Sequence, residues 1–468
     1  MEKIYPKLEA IGMELSIKPY IQKKSVIHLI GIGGVSMNSL AELLLSMGVP
    51  VTGSDRAHSP VTERLERLGA TIHYGHAPEN VEGAALIIRT AAVHDDNPEI
   101  VRAHELGIPV MERAQAWGCL MTDYEDVICL SGTHGKTTTT SMMTLIAMQA
   151  ALDPTVMVGS NLPAIGGTLR IGGHGCFVAE SCEYCNSFLS FAPTVAVVLN
   201  VEADHLDFFK DLDDIVHSFH EFCLLTPENG LVVVNADDPN AMRAVEGVDR
   251  KQVTFGESPS ADLRPANVTV QNGYYHFDVM ADGAFYAHID LCVPGRHNMM
   301  NALACCAVSR HLGIAGEAVS AGLSAFKGSS RRFELTGRMA CGATVVDDYA
   351  HHPSEMRATL TAARQMDFER ILCVFQPHTY TRTKALFPQF VEALKLCDQA
   401  ILAPIYAARE QNTIGIYSSD LAAEIAGARS FDTFEEIAAY IRQEAKPGDL
   451  VLTMGAGDVN KVGRMLVE

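Results

Sequence analysis

Basic residues are scarce in this chain of 468 residues, which has 36 lysines and arginines against 56 aspartates and glutamates and a formal net charge of -20. The basic residues form no cluster with interleaved aromatic side chains. Such clusters are typical of surfaces that bind nucleic acid or anionic membranes. We therefore expect neither partner, and any anionic ligand must be met by local donors.

Long apolar segments are lacking as well. The N-terminal stretch MEKIYPKLEAIGMELSIKPY has no apolar run long enough for a signal peptide or a membrane span. We expect a cytoplasmic protein whose twelve cysteines are reduced and mostly buried as small core residues. Cys182 and Cys185 form a C-x-x-C pair, but no second pair or histidine cluster follows at zinc spacing.

Internal repeats and low-complexity linkers are also absent from the sequence, and its length suffices for about three domains of ~150 residues. Apolar runs alternate with helical patterns, which predicts an α/β fold with parallel sheets. Residues 266–293 differ, because Asn272-Gly273 and Asp282-Gly283 separate alternating runs and predict antiparallel hairpins. The predicted domains are 1–120, 121–328 and 329–468.

The sequence does contain two glycine turns, each between a strand-like run and a helical pattern. The first, HLIGIGGVSMNSLAELL, has the pattern G-x-G-x-x-S through Gly31, Gly33 and Ser36, and Asp55 closes the next apolar run. A dinucleotide-binding fold places its diphosphate turn and its ribose ligand at these positions. The pattern alone leaves open a nicotinamide or flavin, another nucleotide or phosphate, and a plain tight turn.

The second turn, LSGTHGKTTTTSMM, predicts a phosphate-binding loop. Small residues lead from a strand-like run to Lys136, and threonines open a helix, so backbone N–H groups can surround a phosphate while Lys136 reaches its outer oxygens. Thr137 is placed to hold Mg²⁺. The strict Walker pattern needs glycine at position 130, where this chain has Leu130. We expect a nucleotide site at a tighter loop, G-T-H-G-K-T.

Seven motifs in a fixed order resemble those of the ATP-dependent Mur ligases: GTHGKTTTT, NVEADHLD, GRHNMMNALAC, SSRRFE, DDYAHHPSE, FQPHTYTRT and GAGD. The resemblance implies three α/β domains: an N-terminal Rossmann-like domain, a central P-loop ATPase-like sheet with an antiparallel insertion, and a C-terminal Rossmann-like domain. Within the family, the motifs are most similar to those of ligases that use ATP and Mg²⁺ to join L-alanine to UDP-N-acetylmuramate through an acyl phosphate.

This resemblance accounts for two glycine turns in one chain, because a UDP-sugar ligase needs two diphosphate sites. It implies that the first turn holds the diphosphate of the UDP substrate and that further contacts lie near the uridine or first sugar. The implied substrate-binding residues are Gly33, Gly34, Ser36, Met37, Ser54, Asp55, Ser59 and Thr62. For His76 and Arg113, substrate contact and ordinary loop polarity are equally open.

By the same resemblance, the second turn is expected to supply the ATP site, with Gly132, Thr133, His134, Gly135, Lys136, Thr137 and Thr138. Glu180 ends the strand CFVAE and His205 follows VVLNVEAD, where an oxygen and an imidazole can complete the coordination of metal ions together with Thr137. The family often continues this strand as E-S-D, whereas this chain has ESCEYCNSF. The part of the family's aspartate could fall to Glu183.

The third part of the chain is expected to close the site. By resemblance Asn298, Asn301 and Arg332 hold adenine and the γ-phosphate, with Asp348 nearby. Tyr349, His351, His352, His378 and Arg382 resemble the part that seats the amino acid and the acyl phosphate. The amine proton could pass to His351, His205 or a phosphate oxygen, and the sequence does not choose among them.

One family feature is missing. Several relatives that add later amino acids carry a carbamylated lysine beyond the equivalent of His205, yet residues 211–242 contain no lysine, and the register places Phe219 or a neighbour there. Alternatives in the same family are the muramyl-tripeptide-recycling ligase and a folate polyglutamate ligase. A nicotinamide oxidoreductase leaves GTHGKTTTT unexplained, and an NTP-binding regulatory module leaves RRFE, DDYAHH and HTYTRT unexplained.

Overall fold

The computed structural model describes residues 15–467. Most of the N-terminal stretch predicted to lack a signal peptide lies outside this range, as do the outer ends of the first and last predicted domains. Within the range, three sheets with accompanying helices make up the fold, which confirms the predicted α/β class. None of the described helices is both long and apolar enough to cross a membrane.

The first sheet is parallel and has five strands in the order β3-β2-β1-β4-β5. Strands β1 to β5 are Ile27–Ile30, Val51–Asp55, Thr71–Tyr74, Leu86–Arg89 and Val110–Glu112. Helices α1 to α5 are Lys18–Gln22, Val35–Ser46, Pro60–Arg67, Pro98–Leu106 and Arg113–Met121. The strand order reverses at β1, so the first glycine turn lies where doubly wound sheets bind ligands.

The second sheet has ten strands in the order β15-β14-β13-β12-β11-β10-β6-β9-β7-β8. Strands β6 to β12 are Asp126–Ser131, Thr155–Leu162, Gly167–Arg170, Cys176–Glu180, Val195–Val198, Leu231–Asn235 and Lys251–Phe255. Helices α6 to α10 are Lys136–Gln149, Leu212–Leu224, Pro239–Ala244, Arg296–His311 and Gly316–Ala325. Because β10, β6 and β9 are parallel neighbours, the polar segments that follow them meet at one edge.

Strands β13 to β15 form the predicted hairpins over Leu263–Gln271, Tyr274–Ala281 and Ala284–Pro294. Their two-residue loops are Asn272-Gly273 and Asp282-Gly283, and all four residues have positive φ, between +47° and +80°. Two positive φ values in succession define the turn that joins antiparallel strands without splaying them. The prediction from the Asn-Gly and Asp-Gly pairs is confirmed.

The third sheet has six strands in the order β16-β17-β21-β18-β19-β20, with β16 antiparallel and the others parallel. Strands β16 to β21 are Glu334–Arg338, Thr344–Asp348, Ile371–Phe375, Gln399–Leu402, Arg429–Ser430 and Leu450–Met454. Helices α11 to α16 are Pro353–Arg364, Tyr380–Ala385, Phe387–Leu394, Ser418–Ala423, Phe434–Glu444 and Asn460–Val467. Short 3-10 helices cover Pro78–Val81, Pro163–Ile165 and Tyr184–Ser190.

By compactness the chain divides into two units. The first unit comprises the residues up to Pro265 together with Val279–Ala287 and Asn301–Gly322. The second unit comprises Ala266–Asp278, His288–Met300 and the residues from Leu323 onward. The predicted boundaries of the three domains stay predictions.

An aromatic cluster in the first unit fixes α7 against the segment after β9. Phe188 stacks on Phe222 with ring centroids 4.6 Å apart and meets Phe219 edge-on at 5.2 Å. All three side chains are 0% exposed. Phe219 is one of the positions at which the sequence register is expected to place the carbamylated lysine, and here it is an apolar core position in which an unpaired charge would be costly.

We predict that Phe219→Ala lowers the free energy of unfolding by about 3–5 kcal/mol, because it leaves a cavity between Phe188 and α7. The matched control is Phe285→Ala, since Phe285 is 63% exposed and its truncation should change stability by no more than about 0.5 kcal/mol. Urea unfolding midpoints measure both changes. Equal midpoint shifts in the two variants would contradict the assigned packing.

Candidate functional site

The second glycine turn connects β6 to α6 in the conformation of a phosphate loop. The predicted ATP-binding residues at its centre are Gly132, Thr133, His134, Gly135, Lys136, Thr137 and Thr138. Gly132 has φ +143° and Gly135 has φ +85°, and a Cβ on Gly135 would lie 2.8 Å from Asn301 Oδ1. No side chain caps α6 among the described residues. Its N-terminal N–H groups are therefore suited to an anion, and the predicted ligand residue Asn301 lies beside them.

Asn200, which the sequence analysis missed, holds this loop in place. Its Oδ1 accepts from the His134 N–H at 2.7 Å, and its Nδ2 donates to the His134 carbonyl at 3.0 Å. Its own carbonyl accepts from the Thr133 N–H at 3.0 Å. The available signal is its place shortly after β10, in the motif NVEADH that also carries His205.

Lys136 is paired with Glu183 inside the loop. Its Nζ donates to Glu183 Oε2 at 2.8 Å and to the carbonyls of Gly132 and Thr133. The side chain of Glu183 is only 2% exposed. Burial opposes the lysine's charge, but the Glu183 carboxylate raises the pKa of Lys136 well above its ordinary value. The acidic partner that the sequence left undecided is thus in contact with the loop lysine.

Oxygen ligands converge next to this pair. Thr137 Oγ1 donates to Glu180 Oε1 at 2.9 Å, and Glu180 Oε2 accepts from the Gly159 N–H at 2.6 Å. Glu183 Oε1 is buried and has no hydrogen bond within the described residues, and it lies 3.8 Å from His205 Nε2. A hydroxyl and two carboxylates are donors that Mg²⁺ prefers. The donor set therefore fits the ion that the sequence predicted.

The backbone of His205 has φ +52°, and its ring lies 4.6 Å from the ring of Tyr184. Tyr184 in turn donates its hydroxyl to Asp207 at 2.8 Å. These contacts fix the direction of the imidazole towards Glu183. His205 thus lies beside the carboxylates of this cluster, on the segment after β10, and its role as a metal ligand stays a prediction.

The first glycine turn is built around Asp55. Asp55 Oδ2 accepts from the Gly33 N–H at 2.8 Å, and a Cβ at position 33 would lie 2.8 Å from the same oxygen. Gly34 precedes α2, and no described side chain caps that helix. Ser59 and Thr62 form a capping box at the start of α3, which gives both a structural role.

The side chain of Trp117, the one tryptophan of the sequence, contacts this turn. Its Nε1 donates to the carbonyl and the hydroxyl of Ser36 at 3.3 and 3.2 Å. Met37 is 1% exposed and belongs to the core, so only its main chain is placed to meet a ligand. The contact between Trp117 and Ser36 couples the core of the unit to the turn.

Ser54 and His76 are held by a residue that the sequence analysis missed, Glu99. Glu99 is 0% exposed and accepts from Ser54 Oγ at 2.7 Å and from Asn80 Nδ2 at 2.5 Å, and His76 Nδ1 lies 3.2 Å away. Burial acts to raise the pKa of Glu99, but these donors and the neighbouring His28 lower it to about 2. Ser54 and His76 therefore take part in a hydrogen-bond network around the buried Glu99, and their contact with the substrate stays a prediction.

Arg113, the remaining residue predicted for the UDP site, begins α5. Burial lowers the pKa of this arginine, and Cys182 and Glu112 act on it electrostatically. Arg113 thus lies near Cys182, in the segment after β9. Cys182 and Cys185 of the C-x-x-C pair are free thiols.

In the second unit, the two arginines of SSRRFE have different surroundings. Arg331 donates to Asp347 Oδ2 at 2.9 Å and to the carbonyls of Gly455 and Gly457 at 2.7 and 3.0 Å. Both guanidinium groups lie near the Tyr349 ring, at 4.9 Å from its centre for Arg331 and 5.2 Å for Arg332. Arg331 differs in that its guanidinium is occupied by these hydrogen bonds to β17 and to the segment after β21, which favours Arg332 as the ligand-binding arginine.

Asp348 ends β17 and accepts N–H hydrogen bonds from Phe333 and Ala350, each at 2.8 Å. Burial raises its pKa to about 6, against the opposing charge of Arg332. Asn298 Nδ2 donates to the Pro294 carbonyl at 2.7 Å, which secures the junction of β15 and α9. These two predicted ATP-binding residues therefore have structural contacts of their own.

An aromatic row brings together most of the residues predicted for the amino acid. His351 meets Tyr349 at 5.5 Å and His378 at 5.8 Å, and His378 stacks on Tyr406 at 5.6 Å. Arg382 Nη1 lies 3.3 Å from His378 Nδ1. His352 is different, because its Nδ1 accepts from the Ser354 N–H and caps α11.

Models of three Mur ligase domains match successive segments of the chain. Residues 26–125 match the Mur ligase family catalytic domain, residues 130–309 the Mur ligase middle domain, and residues 331–457 the Mur ligase glutamate ligase domain. The three matches together cover both glycine turns and the aromatic row.

Relatives are similar over nearly their whole length. The UDP-N-acetylmuramate–L-alanine ligase of Acetivibrio thermocellus is 49% identical over 448 residues, 94% of this chain and 95% of that protein. The protein of the same name from Clostridium novyi is 45% identical over 446 residues, 94% and 97% of the two chains.

Solved structures show the same architecture. The UDP-N-acetylmuramate–alanine ligase of Thermotoga maritima has a TM-score of 0.79 at 28% identity, over 94% of this chain and 98% of its own. A murein peptide ligase from Psychrobacter arcticus has a TM-score of 0.70 at 24% identity, over 94% and 98%, which is a likeness of fold alone. Through its close curated relatives and the three matched domains, this chain belongs to the Mur ligase family.

Proposed function

We propose that this chain is an ATP-dependent amide ligase that joins L-alanine to the lactyl carboxylate of UDP-N-acetylmuramate and releases ADP and phosphate, for peptidoglycan precursor synthesis. The observation that carries the proposal is the phosphate loop with Lys136, Thr137, Glu180 and Glu183 gathered at it. Support also comes from relatives of that name at 49% and 45% identity.

The reaction requires activation of a carboxylate, because a carboxylate and an amine do not condense at neutral pH. ATP phosphorylates the carboxylate, and the amine then displaces phosphate from the acyl phosphate. Both partners in the first step are anionic, so catalysis depends on positioning and charge neutralisation. Lys136 supplies a charge that Glu183 balances before a nucleotide binds; on binding, phosphate oxygens take the place of the loop carbonyls as acceptors.

Thr137 and Glu180 are the residues that would hold Mg²⁺, with Glu183 and His205 beside them. The ion supplies positive charge at the phosphate oxygens. The N–H groups at the start of α6 surround the same phosphates. Asn200 keeps this part of the loop fixed through its two bonds to His134.

The UDP substrate occupies the first glycine turn in this proposal. Gly33, Gly34 and Ser36 place the start of α2 against the diphosphate, and Asp55 faces the uridine or first sugar. The two glycine turns thus bind two separate diphosphates in this proposal, and neither turn is left for a nicotinamide cofactor.

L-alanine binds at the aromatic row, where Arg382 and Arg332 provide planar cations for its carboxylate and for the acyl phosphate. His351 Nδ1 donates to the Tyr349 carbonyl at 3.1 Å. A proton on Nδ1 in this bond leaves Nε2 as the ring nitrogen that would take the amine proton, and the Glu355 carboxylate, whose Oε2 lies 3.3 Å from Nδ1, would stabilise the resulting imidazolium. The tripeptide-recycling ligase is the second candidate, and assays with L-alanine against the muramyl tripeptide separate the two.

We predict that Lys136→Met lowers ADP formation roughly 1000-fold, because the charge at the transferred phosphate is lost. Affinity for UDP-N-acetylmuramate should change by less than about twofold, since the two diphosphates use separate turns. Calorimetry measures this affinity, and the fluorescence of Trp117 follows the same binding at Ser36. Lys251→Met, at an exposed lysine, is the matched control. Loss of UDP-substrate affinity in Lys136→Met would contradict the assignment of the turns.

We also predict that activity does not depend on bicarbonate, because residues 211–242 contain no lysine and Phe219 is a core position. The rate of phosphate release should be the same in CO₂-depleted buffer and after bicarbonate is restored. A rate that falls on depletion and returns with bicarbonate would show that a carbamate forms on another lysine.

A further inference from the structure

The segment that carries His378 and Arg382 has a strained backbone at Thr379. This residue has φ +63° and ψ 148°. Glycine adopts such a conformation readily, whereas a β-branched side chain is strongly disfavoured there. Strain of this kind persists only where the surrounding structure enforces it. The turn reverses the chain between β18 and α12, and it is the turn that brings Arg382 within 3.3 Å of His378.

A second loop of the same unit enforces this conformation, and Glu410 supplies its main contact. Glu410 Oε2 accepts from the N–H groups of Tyr380 and Thr381 at 2.7 and 3.0 Å. Its Oε1 accepts from the Thr381 hydroxyl. One carboxylate therefore binds the first turn of α12 directly after the strained residue.

Tyr406 contacts the segment on the N-terminal side of the strained residue. Its carbonyl accepts from the Thr379 N–H at 2.9 Å, and its N–H donates to the Pro377 carbonyl at 2.8 Å. Its ring stacks on His378 with an angle of 22° between the planes. The strained residue is thus held from both ends by Tyr406 and Glu410.

We propose that Glu410 is a positioning residue for amide formation: it holds the strained turn at Thr379 and so presents His378 and Arg382 together to the amino acid. This proposal rests on the proposed function above, because it assigns the amino acid to the aromatic row. Without Glu410, Thr379 can relax to negative φ, and Arg382 then moves relative to His378. Misplacement by about 1 Å can cost roughly 100-fold in rate.

The experiment compares kcat and KM for L-alanine in Glu410→Ala, Glu410→Gln, Thr379→Gly and the double variant Glu410→Ala with Thr379→Gly. We expect Glu410→Ala to lower kcat/KM for alanine roughly 100-fold. Glu410→Gln, which keeps one acceptor oxygen, should lose about tenfold and gives an independent reading if the alanine variant folds poorly. Calorimetric affinities for ATP and UDP-N-acetylmuramate should remain within about twofold of the parent enzyme.

The double variant tests whether relaxation of the strained backbone at Thr379 causes the loss of activity in Glu410→Ala. Glycine at position 379 removes the strain, and glycine is nearly as good as threonine before a helix. We therefore expect the double variant to recover at least about tenfold of the activity lost in Glu410→Ala. A merely structural role for Glu410 predicts no such recovery.

Glu436→Ala is the control, because Glu436 Oε2 also accepts two consecutive main-chain N–H groups, those of Asp432 and Thr433, but at the start of its own helix, α15. It should keep the parent kinetics. Overturning results are a loss below about threefold in both Glu410 variants, or losses in the double variant that multiply without recovery. Absence of alanine-dependent ADP formation in the parent enzyme would instead overturn the proposed function.

Discussion

The ion pair between Lys136 and Glu183 is the interaction on which the nucleotide site depends. A chain with a net charge of -20 must bind two diphosphates and a carboxylate, so its few local cations have to be kept in place and neutralised until an anion arrives. Glu183 does this for the loop lysine at 2.8 Å while buried from water. Elsewhere the chain relies on main-chain N–H groups at the starts of α2 and α6, where none of the described side chains forms a cap. These groups offer partial positive charge without a basic residue.

Parallel sheets explain why the required groups meet. The carboxyl ends of β6, β9 and β10 are adjacent, so Thr137, Glu180 and His205 come together although long stretches of sequence separate them. The reversal of strand order at β1 places the first glycine turn in the same way. In the third sheet, the segments after β17, β18 and β19 bring Tyr349, His378 and Tyr406 into one row.

The sequence predicts correctly those features of the fold that short local patterns determine. The Asn-Gly and Asp-Gly hairpins, the loop before Lys136 and the α/β alternation all follow from short patterns. Asn200, Glu99 and Glu410 escaped prediction because each acts on a segment distant in sequence, and a single polar residue after a strand does not reveal its partner. Spacing alone does not separate ligand contacts from helix caps: Ser59, Thr62 and His352 cap helices, and Ser54 donates to a buried carboxylate. Their contacts with the substrate stay predictions.

The central claim is that ATP cleavage is coupled to formation of an amide between two specific partners. The most direct test measures phosphate release from ATP with UDP-N-acetylmuramate and L-alanine, each omitted in turn. The account predicts rapid release only when both are present, with one UDP-N-acetylmuramoyl-alanine formed per phosphate. Steady release without alanine, or a requirement for the muramyl tripeptide in its place, would contradict it.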